Sequence, residues 1–280
     1  MVAMAVVDTD RYADDLASSR SDDGGFGLTR EGPSEVEPTA VAALALDDSE
    51  ARAWLTRAQR RDGGFAANDG RPESPSVAAL VAVALDDPRA RARALEYALA
   101  NRARTVGDFG NEDGDGRNGW GWTNDTYAWI EPTARVLLAL KILRPTDAEP
   151  RAEALEIIRQ RQCVDGGWNY GSTVLEGVQL TGFAQTTAVT LMALQGEAPS
   201  LVTPGLEFLE RRWRNEPGGL TLAQTAVTFA LHGIGDLHGV RDAMDASYAR
   251  TAFLGNVLAL GWAALATGPA ANRDRLRSTA

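Results

Sequence analysis

The sequence predicts an all-α chain closed into a double ring of six helical hairpins, with an inner apolar ring wrapped by an outer amphipathic one. Three observations predict it. One phrase recurs five times along the 280 residues. Strongly apolar helical segments alternate with amphipathic ones. The last segment, residues 252–265, is too apolar to be the polar end-cap that an open stack of repeats needs.

The phrase is fullest at residues 119–143, GWGWTNDTYAWIEPTARVLLALKIL. It reads as a glycine-aromatic turn, a polar loop, Glu131-Pro132-Thr133, then an apolar helix. Pro132 suits a first helical position, where its missing N–H costs nothing. Glu131 and Thr133 are expected to supply oxygens to the unpaired N–H groups of the first turn. The other copies are Glu37-Pro38-Thr39, Ser74-Pro75-Ser76, Gln185-Thr186-Thr187 and Ala223-Gln224-Thr225, each before an apolar run. Their glycine turns are Gly24-Gly25-Phe26, Gly63-Gly64-Phe65, Gly166-Gly167-Trp168 and Gly218-Gly219-Leu220, beside Gly119-Trp120. Linked copies of one unit set the architecture before any single motif is weighed.

In chain order, residues 8–19 read as a short amphipathic helix ended by the first glycine turn. Apolar helices follow at about 38–46 and 75–85, after Glu131-Pro132-Thr133, after Phe183 and from near Ala223, with a sixth at 251–266. Amphipathic helices lie between them at 49–60, 88–104, 147–162, 199–214 and 236–247. Each amphipathic helix has one wet face and belongs outside; each apolar helix belongs inside, where the outer ring covers it. Leu44, Leu80, Leu138, Met192 and Phe229 are expected in inner helices. The glycine turns join outer C-termini to inner N-termini, all at one end of the ring. The repeats run without a linker-like break, so residues 1–280 are expected to form one domain. An insertion interrupts it at 105–117, and residues 268–280 read as a frayed end.

Composition limits the partners. A formal net charge of −10 and a pI near 4.8 argue against nucleic acid and anionic membranes. Cys163 is the single cysteine, so no internal disulfide can form. No run is long and charge-free enough to span a membrane. The first dozen residues lack a basic start and a long apolar stretch, so a cytoplasmic protein is expected.

Gln162-Cys163-Val164-Asp165-Gly166-Gly167-Trp168 matches the Q-x-x-x-G-x-W motif of triterpene cyclases, and residues 59–65 give Q-x-x-x-G-x-F. With the Glu-Pro-Thr-Ala helices, the chain resembles the prenyltransferase and squalene-oxidase repeat superfamily over roughly residues 8–235. The resemblance implies an (α/α)6 toroid. It also implies an acid at the start of an inner helix, where class II terpene cyclases carry D-x-D-D-T-A. Laid onto this chain, the middle acid falls at Glu37 and at Glu131, and the last aspartate is proline in both places. The histidine ligand of zinc prenyltransferases would fall close to Ala223-Gln224, and His232 sits inside an apolar helix, so no metal and no cofactor is expected.

Glu131 and Glu37 are therefore the candidate acids. Burial raises a carboxyl pKa by up to roughly 3–5 units, whereas a helix N-terminus stabilises the charged form by only about 0.3–1 kcal/mol. The alternative is that both glutamates only cap their helices. Trp120, Trp122, Tyr127, Trp129, Tyr170 and Phe183 cluster in loops at the expected ring mouth and are candidate ligand contacts, since aromatic faces stabilise cations. The aromatics of the glycine turns, Phe26, Phe65 and Trp168, read as braces between repeats. Residues 111–116 open like a calcium loop, but the twelfth position is Trp122 rather than the glutamate such a loop requires. Cys163 lies beside an acid, not a base, and is not read as a nucleophile.

Three functions fit. One is a toroid that binds an isoprenoid or other apolar small molecule, with Glu131 or Glu37 as acid in a central cavity. A second is a non-catalytic scaffold for a protein partner. A third is a carbohydrate-active enzyme using paired carboxylates, Glu131 with Asp125 or with Glu37.

Overall fold

The computed structural model describes residues 11–66, 72–103, 119–124, 126–143 and 148–277. The 105–117 insertion and Asp125 lie outside them. The inner helices are α2 (Val36–Ala45), α4 (Pro75–Ala84), α6 (Ile130–Leu143), α8 (Ala184–Ala193), α10 (Gly219–His232) and α12 (Val257–Thr267). The outer ones are α1 (Arg11–Ala17), α3 (Ser49–Ala58), α5 (Pro88–Ala100), α7 (Glu149–Gln160), α9 (Pro199–Arg212) and α11 (Leu237–Thr251). Each inner helix packs on the next, and α12 returns onto α2, so the ring closes. Leu44, Leu80, Leu138, Met192 and Phe229 all lie in inner helices and are buried.

Packing pairs each inner helix with the outer helix that follows it: α2 with α3, α4 with α5, and on to α10 with α11. The sixth inner helix has no successor of this kind. Its partner is α1, from the other end of the sequence. Tyr12 of α1 stacks on Phe253 and meets Tyr248 edge-on, and its hydroxyl donates to Asp245. The N-terminal helix thus closes the outer ring.

The turn phrase works as a clamp. The backbone N–H groups of Phe26, Trp120 and Trp168 donate to the hydroxyls of Thr39, Thr133 and Thr187 at 2.9, 3.2 and 2.9 Å. The carbonyls of Phe26, Phe65, Trp120 and Trp168 accept from the residue that precedes each inner helix. The threonines therefore hold the incoming turn instead of capping the first helical turn. In α4 the equivalent fourth residue is Ala78, so Ser76 stands two places earlier than the other hydroxyls of the phrase. The motif glutamines tie neighbouring units: Gln59 donates to Gly63 and Ala90 carbonyls, and Gln162 to those of Gly166 and Leu201. Gly63 and Gly166 have φ of +96° and +90°, and a Cβ there would lie 2.3 Å from the Arg93 carbonyl oxygen or 2.6 Å from that of Pro204. Only glycine fits.

Two local features depart from expectation. A short hairpin, β1 (Val174–Leu175) and β2 (Val178–Gln179), fills part of the loop before α8. The last inner helix starts later than residue 251, because Ala252, Phe253 and Leu254 adopt left-handed backbone. That turn lays the Phe253 ring against Gly219, where a Cβ would lie 2.3 Å from it.

All inner N-termini point to the glycine-turn end, so all inner C-termini gather at the other. Their exposed carbonyls attract donors and positive charge. The tail expected to fray supplies both. It forms α13 (Ala270–Asp274), and Leu276 is fully buried. Asn272 donates to the Ala45 carbonyl at 2.8 Å and Arg277 to that of Leu231 at 3.0 Å. Arg273 reaches Leu265 and Ala266, and Arg275 reaches Ala84 and Leu85. Lys141, the only lysine, donates to the Ala193 and Gln195 carbonyls. Burial pushes its pKa down to about 8, against the pull of Glu197.

Two outcomes follow from this packing. Removing residues 270–280 should destabilise the chain by at least about 3 kcal/mol in urea unfolding, because it removes the buried Leu276 and strips side-chain donors, three of them charged, from four inner helices. Thr187→Val should cost about 1–3 kcal/mol, since the buried Trp168 N–H then has no acceptor.

Candidate functional site

Glu37 is the second residue of α2 and Glu131 the second residue of α6. Arg135 follows Glu131 by four residues, so both project from one face of α6. One guanidinium nitrogen, Nη2 of Arg135, donates to Glu37 Oε1 at 2.6 Å and to Glu131 Oε1 at 2.7 Å. Helices α2 and α6 are not neighbours, because α4 stands between them. The triad therefore closes across the inside of the ring, near its glycine-turn end.

Arg135 was not among the residues singled out from sequence. Its signal was a charged residue inside an otherwise apolar helix, one turn after an acid. The structure also overturns the capping role expected of the glutamates. Both carboxylates are bonded to Arg135 rather than to first-turn N–H groups, and the residue preceding α2, Glu35, makes no side-chain cap.

The electrostatics are uneven. Two carboxylates, the buried Glu131 and the half-buried Glu37, share one buried cation, which leaves one negative charge in excess. Glu131 is 4% exposed and Arg135 7%. Burial pushes the Glu131 carboxyl above its ordinary value of 4.5; Arg135 pulls the other way, and Glu37 adds to the rise. Burial works against the Arg135 cation as well, but the two carboxylates more than offset it and keep the guanidinium charged. A proton on Glu131 would leave a neutral cluster, with Arg135 paired to Glu37.

The aromatics divide into three groups. Trp120 has no exposed surface; its indole N–H donates to the Ala98 carbonyl of α5 at 2.7 Å, as that of Trp168 does to Ile158 of α7 at 2.8 Å. It is a brace, which corrects its assignment as a ligand contact. Trp122 is half-buried and lies under the Arg135 guanidinium, 5.5 Å from ring centroid to the charged carbon. Trp129 is also half-buried and immediately precedes α6. Tyr127, Tyr170 and Phe183 are exposed, and the last two pack together at 5.1 Å. The backbone N–H of Ile130 donates to the Tyr170 carbonyl, which brings this loop to the start of α6. Asp125, the third candidate acid, lies outside the described residues.

The remaining sequence candidates stand apart from the triad. His232 ends α10 and bonds to the Leu191 carbonyl. Cys163 is buried, and burial together with Asp165 pushes its thiol pKa up. Among the described residues no group of three or more His, Cys, Asp or Glu side chains is placed to hold a metal ion. None of their helices is long and apolar enough to cross a membrane.

No family model and no curated protein sequence matches the chain. Solved structures do. A type II terpene cyclase from Scytonema, MstE, superposes with a TM-score of 0.52 at 17% identity, over 86% of this chain and 77% of that one. A variant of the same cyclase has been solved with geranylgeranyl dihydroxybenzoate as substrate. A reducing-end-xylose releasing exo-oligoxylanase gives a TM-score of 0.63 at 9% identity, over 99% and 95% of the two chains. An α-1,6-mannanase of Salegentibacter gives 0.55 at 14%, over 92% and 99%. At these identities the likeness is one of fold, the (α/α)6 toroid, and that fold carries unrelated chemistries.

The raised pKa of Glu131 has a pH signature. The folded protein binds a proton that the unfolded chain gives up near pH 4.5. The stabilisation is complete below that pH and is lost as pH rises through the folded pKa. Unfolding free energies measured in urea from pH 4 to 8 should fall with pH more steeply for the native chain than for Glu131→Gln. Parallel curves would show that Glu131 titrates normally.

Proposed function

We propose that the toroid binds an isoprenoid-class apolar ligand at the glycine-turn end of its ring, and that Glu131 is the proton donor to it. The observation that carries this reading is the Glu37–Arg135–Glu131 triad, in which Glu131 and Arg135 are buried and Glu37 is half-buried, and whose excess negative charge favours a protonated Glu131. Trp122 borders the triad, and Trp129 and the Tyr170–Phe183 pair belong to the segments that flank the start of α6. Aromatic faces and a nearby carboxylate both stabilise a developing cation.

The step is balanced in protons and electrons. An alkene π pair takes the Glu131 proton and forms a C–H bond, leaving a carbocation and a carboxylate. A second alkene closes the ring onto that cation. Loss of a proton from carbon to Glu131 restores a neutral product and the resting acid; where water takes that proton, solvent reprotonates Glu131 before the next turnover. A terpene cyclase of the same fold acts on a geranylgeranyl substrate, which supports the ligand class.

The carbohydrate reading has less support. Inverting glycosidases keep their two carboxyls about 6.5–9.5 Å apart to admit a water, and retaining ones place the sugar against a free nucleophile. Here both carboxylates are bonded to a single guanidinium nitrogen, which occupies the space between them.

The test is turnover and binding measured together. Purified protein incubated with C15 and C20 isoprenoids should give cyclised products in mass spectrometry of the extract. Glu131→Gln should bind the same compounds while losing at least about 100-fold in rate, the lower range for a positioned general acid. Undiminished turnover in that variant would remove Glu131 as the acid. Binding without turnover in the native chain would leave a binding protein.

A further inference from the structure

Among the described residues, the titratable side chains of the inner helices are Glu37, Glu131, Arg135, Lys141 and His232. Lys141 and His232 bond to carbonyls of residues 191–195 at the C-terminal end. The glycine-turn end of the inner ring is left with Glu37, Glu131 and Arg135. The described elements packed on these three direct their own charges elsewhere. Helices α4, α8 and α12 carry no titratable side chain. In α7 the buried Glu153 accepts from the Gly119 N–H and pairs with Arg102, and Arg161 beyond it donates to the Ala128 carbonyl. Tyr97 of α5 donates to Glu73, and Arg52 of α3 lies on the Ala43 and Ala84 carbonyls at the far end. Arg135 and Glu37 are accordingly the charges that act on Glu131.

The three groups differ in their access to water. The Glu37 side chain is 23% exposed, those of Glu131 and Arg135 only 5 and 7%. A guanidinium stays charged in a protein. A buried cluster is least costly at zero net charge. With Glu37 ionised, Arg135 is already neutralised, and the cluster reaches zero only if Glu131 is the acid. Without Glu37 the outcome reverses. Arg135 would then be neutralised by Glu131 itself, four residues away on the same helix, as a buried ion pair. The proton on Glu131 therefore depends on a side chain from another helix.

We propose that Glu37 is a positioning residue for the proton of Glu131: ionised and partly exposed to water, it takes up the charge of Arg135 and leaves Glu131 in the acid form. This rests on the acid role given to Glu131 above and names what sustains it. Burial raises the Glu131 pKa, Arg135 lowers it and Glu37 raises it again, the directions that this division of roles requires. Trp122, under the guanidinium, packs Arg135 in place between the two carboxylates. Once Glu131 has given up its proton, the cluster holds one negative charge spread over both carboxylates, beside the cation that has formed.

Glu37→Gln keeps an oxygen that accepts from Arg135 and removes the charge; Glu37→Asp keeps the charge. The first readout needs no ligand. The raised pKa of Glu131 stabilises the fold fully below pH 4.5, and this is lost as pH rises through the folded pKa. Urea unfolding across that range gives the loss as the difference between the native chain and Glu131→Gln, and again between Glu37→Gln and the double variant. The difference should shrink at least about twofold in the Glu37→Gln background and stay whole in Glu37→Asp. An undiminished difference overturns the proposal, because burial alone then holds the proton. No difference even in the native background overturns it as well, since Glu131 then titrates normally. The second readout is turnover of a C20 isoprenoid. Glu37→Gln should lose at least about tenfold near neutral pH, regain rate as pH falls and bind the compound as before, with Glu37→Asp close to native. Equal rates near neutral pH in the native chain and Glu37→Gln overturn the proposal. No turnover by the native chain, with the unfolding difference still shrinking, removes the isoprenoid reading and leaves the role of Glu37 standing.

Discussion

The parallel alignment of six inner helices is the constraint on which the rest depends. Closing them into one ring puts six partly positive N-termini at one end and six partly negative C-termini at the other. The chain answers at both ends. Glu37 and Glu131 sit at the N-terminal end, while Lys141, Arg273, Arg275 and Arg277 bond to carbonyls at the C-terminal end. The acidic overall charge of −10 conceals this sorting. The C-terminal tail is docked because the ring leaves carbonyls that nothing else satisfies.

Ring closure also explains why the site lies where it does. In an open stack, the second position of α2 and the sixth of α6 would diverge with the curvature of the stack. In the closed ring they converge on its axis, and the Arg135 guanidinium joins them. A charge imbalance of one unit, in a place with little water, is what makes Glu131 distinct from a surface glutamate. The site is thus a property of the ring and of no single repeat.

The repeats hold one another through their turns. Each threonine clamp fixes the angle at which an outer helix delivers the chain to an inner one, and the motif glutamines carry that connection to the next outer helix. Trp120 and Trp168 belong to this bracing, with their indole N–H groups on carbonyls of α5 and α7. A tryptophan in a glycine turn and one two residues away look alike in sequence. Trp120 and Trp122 differ in burial because only the first stands at the clamped position.

Much of the architecture was legible in the chain itself: the alternation of apolar and amphipathic helices, the recurrent glycine turn and the closed ring all follow from local periodicity and turn chemistry. The inner placement of Leu44, Leu80, Leu138, Met192 and Phe229 follows as well. The carboxylates Glu37 and Glu131 could be singled out by position. Their partner could not, because Arg135 gains its meaning from a helix almost a hundred residues earlier in the chain. Neither Ala78, two places after Ser76 at the clamp position of α4, nor the buried tail could be read from local pattern. Periodicity reports which face of a helix is apolar. Which faces meet, which carbonyls remain open and which charges are left unbalanced depend on contacts between distant segments, and those exist only once the ring has closed.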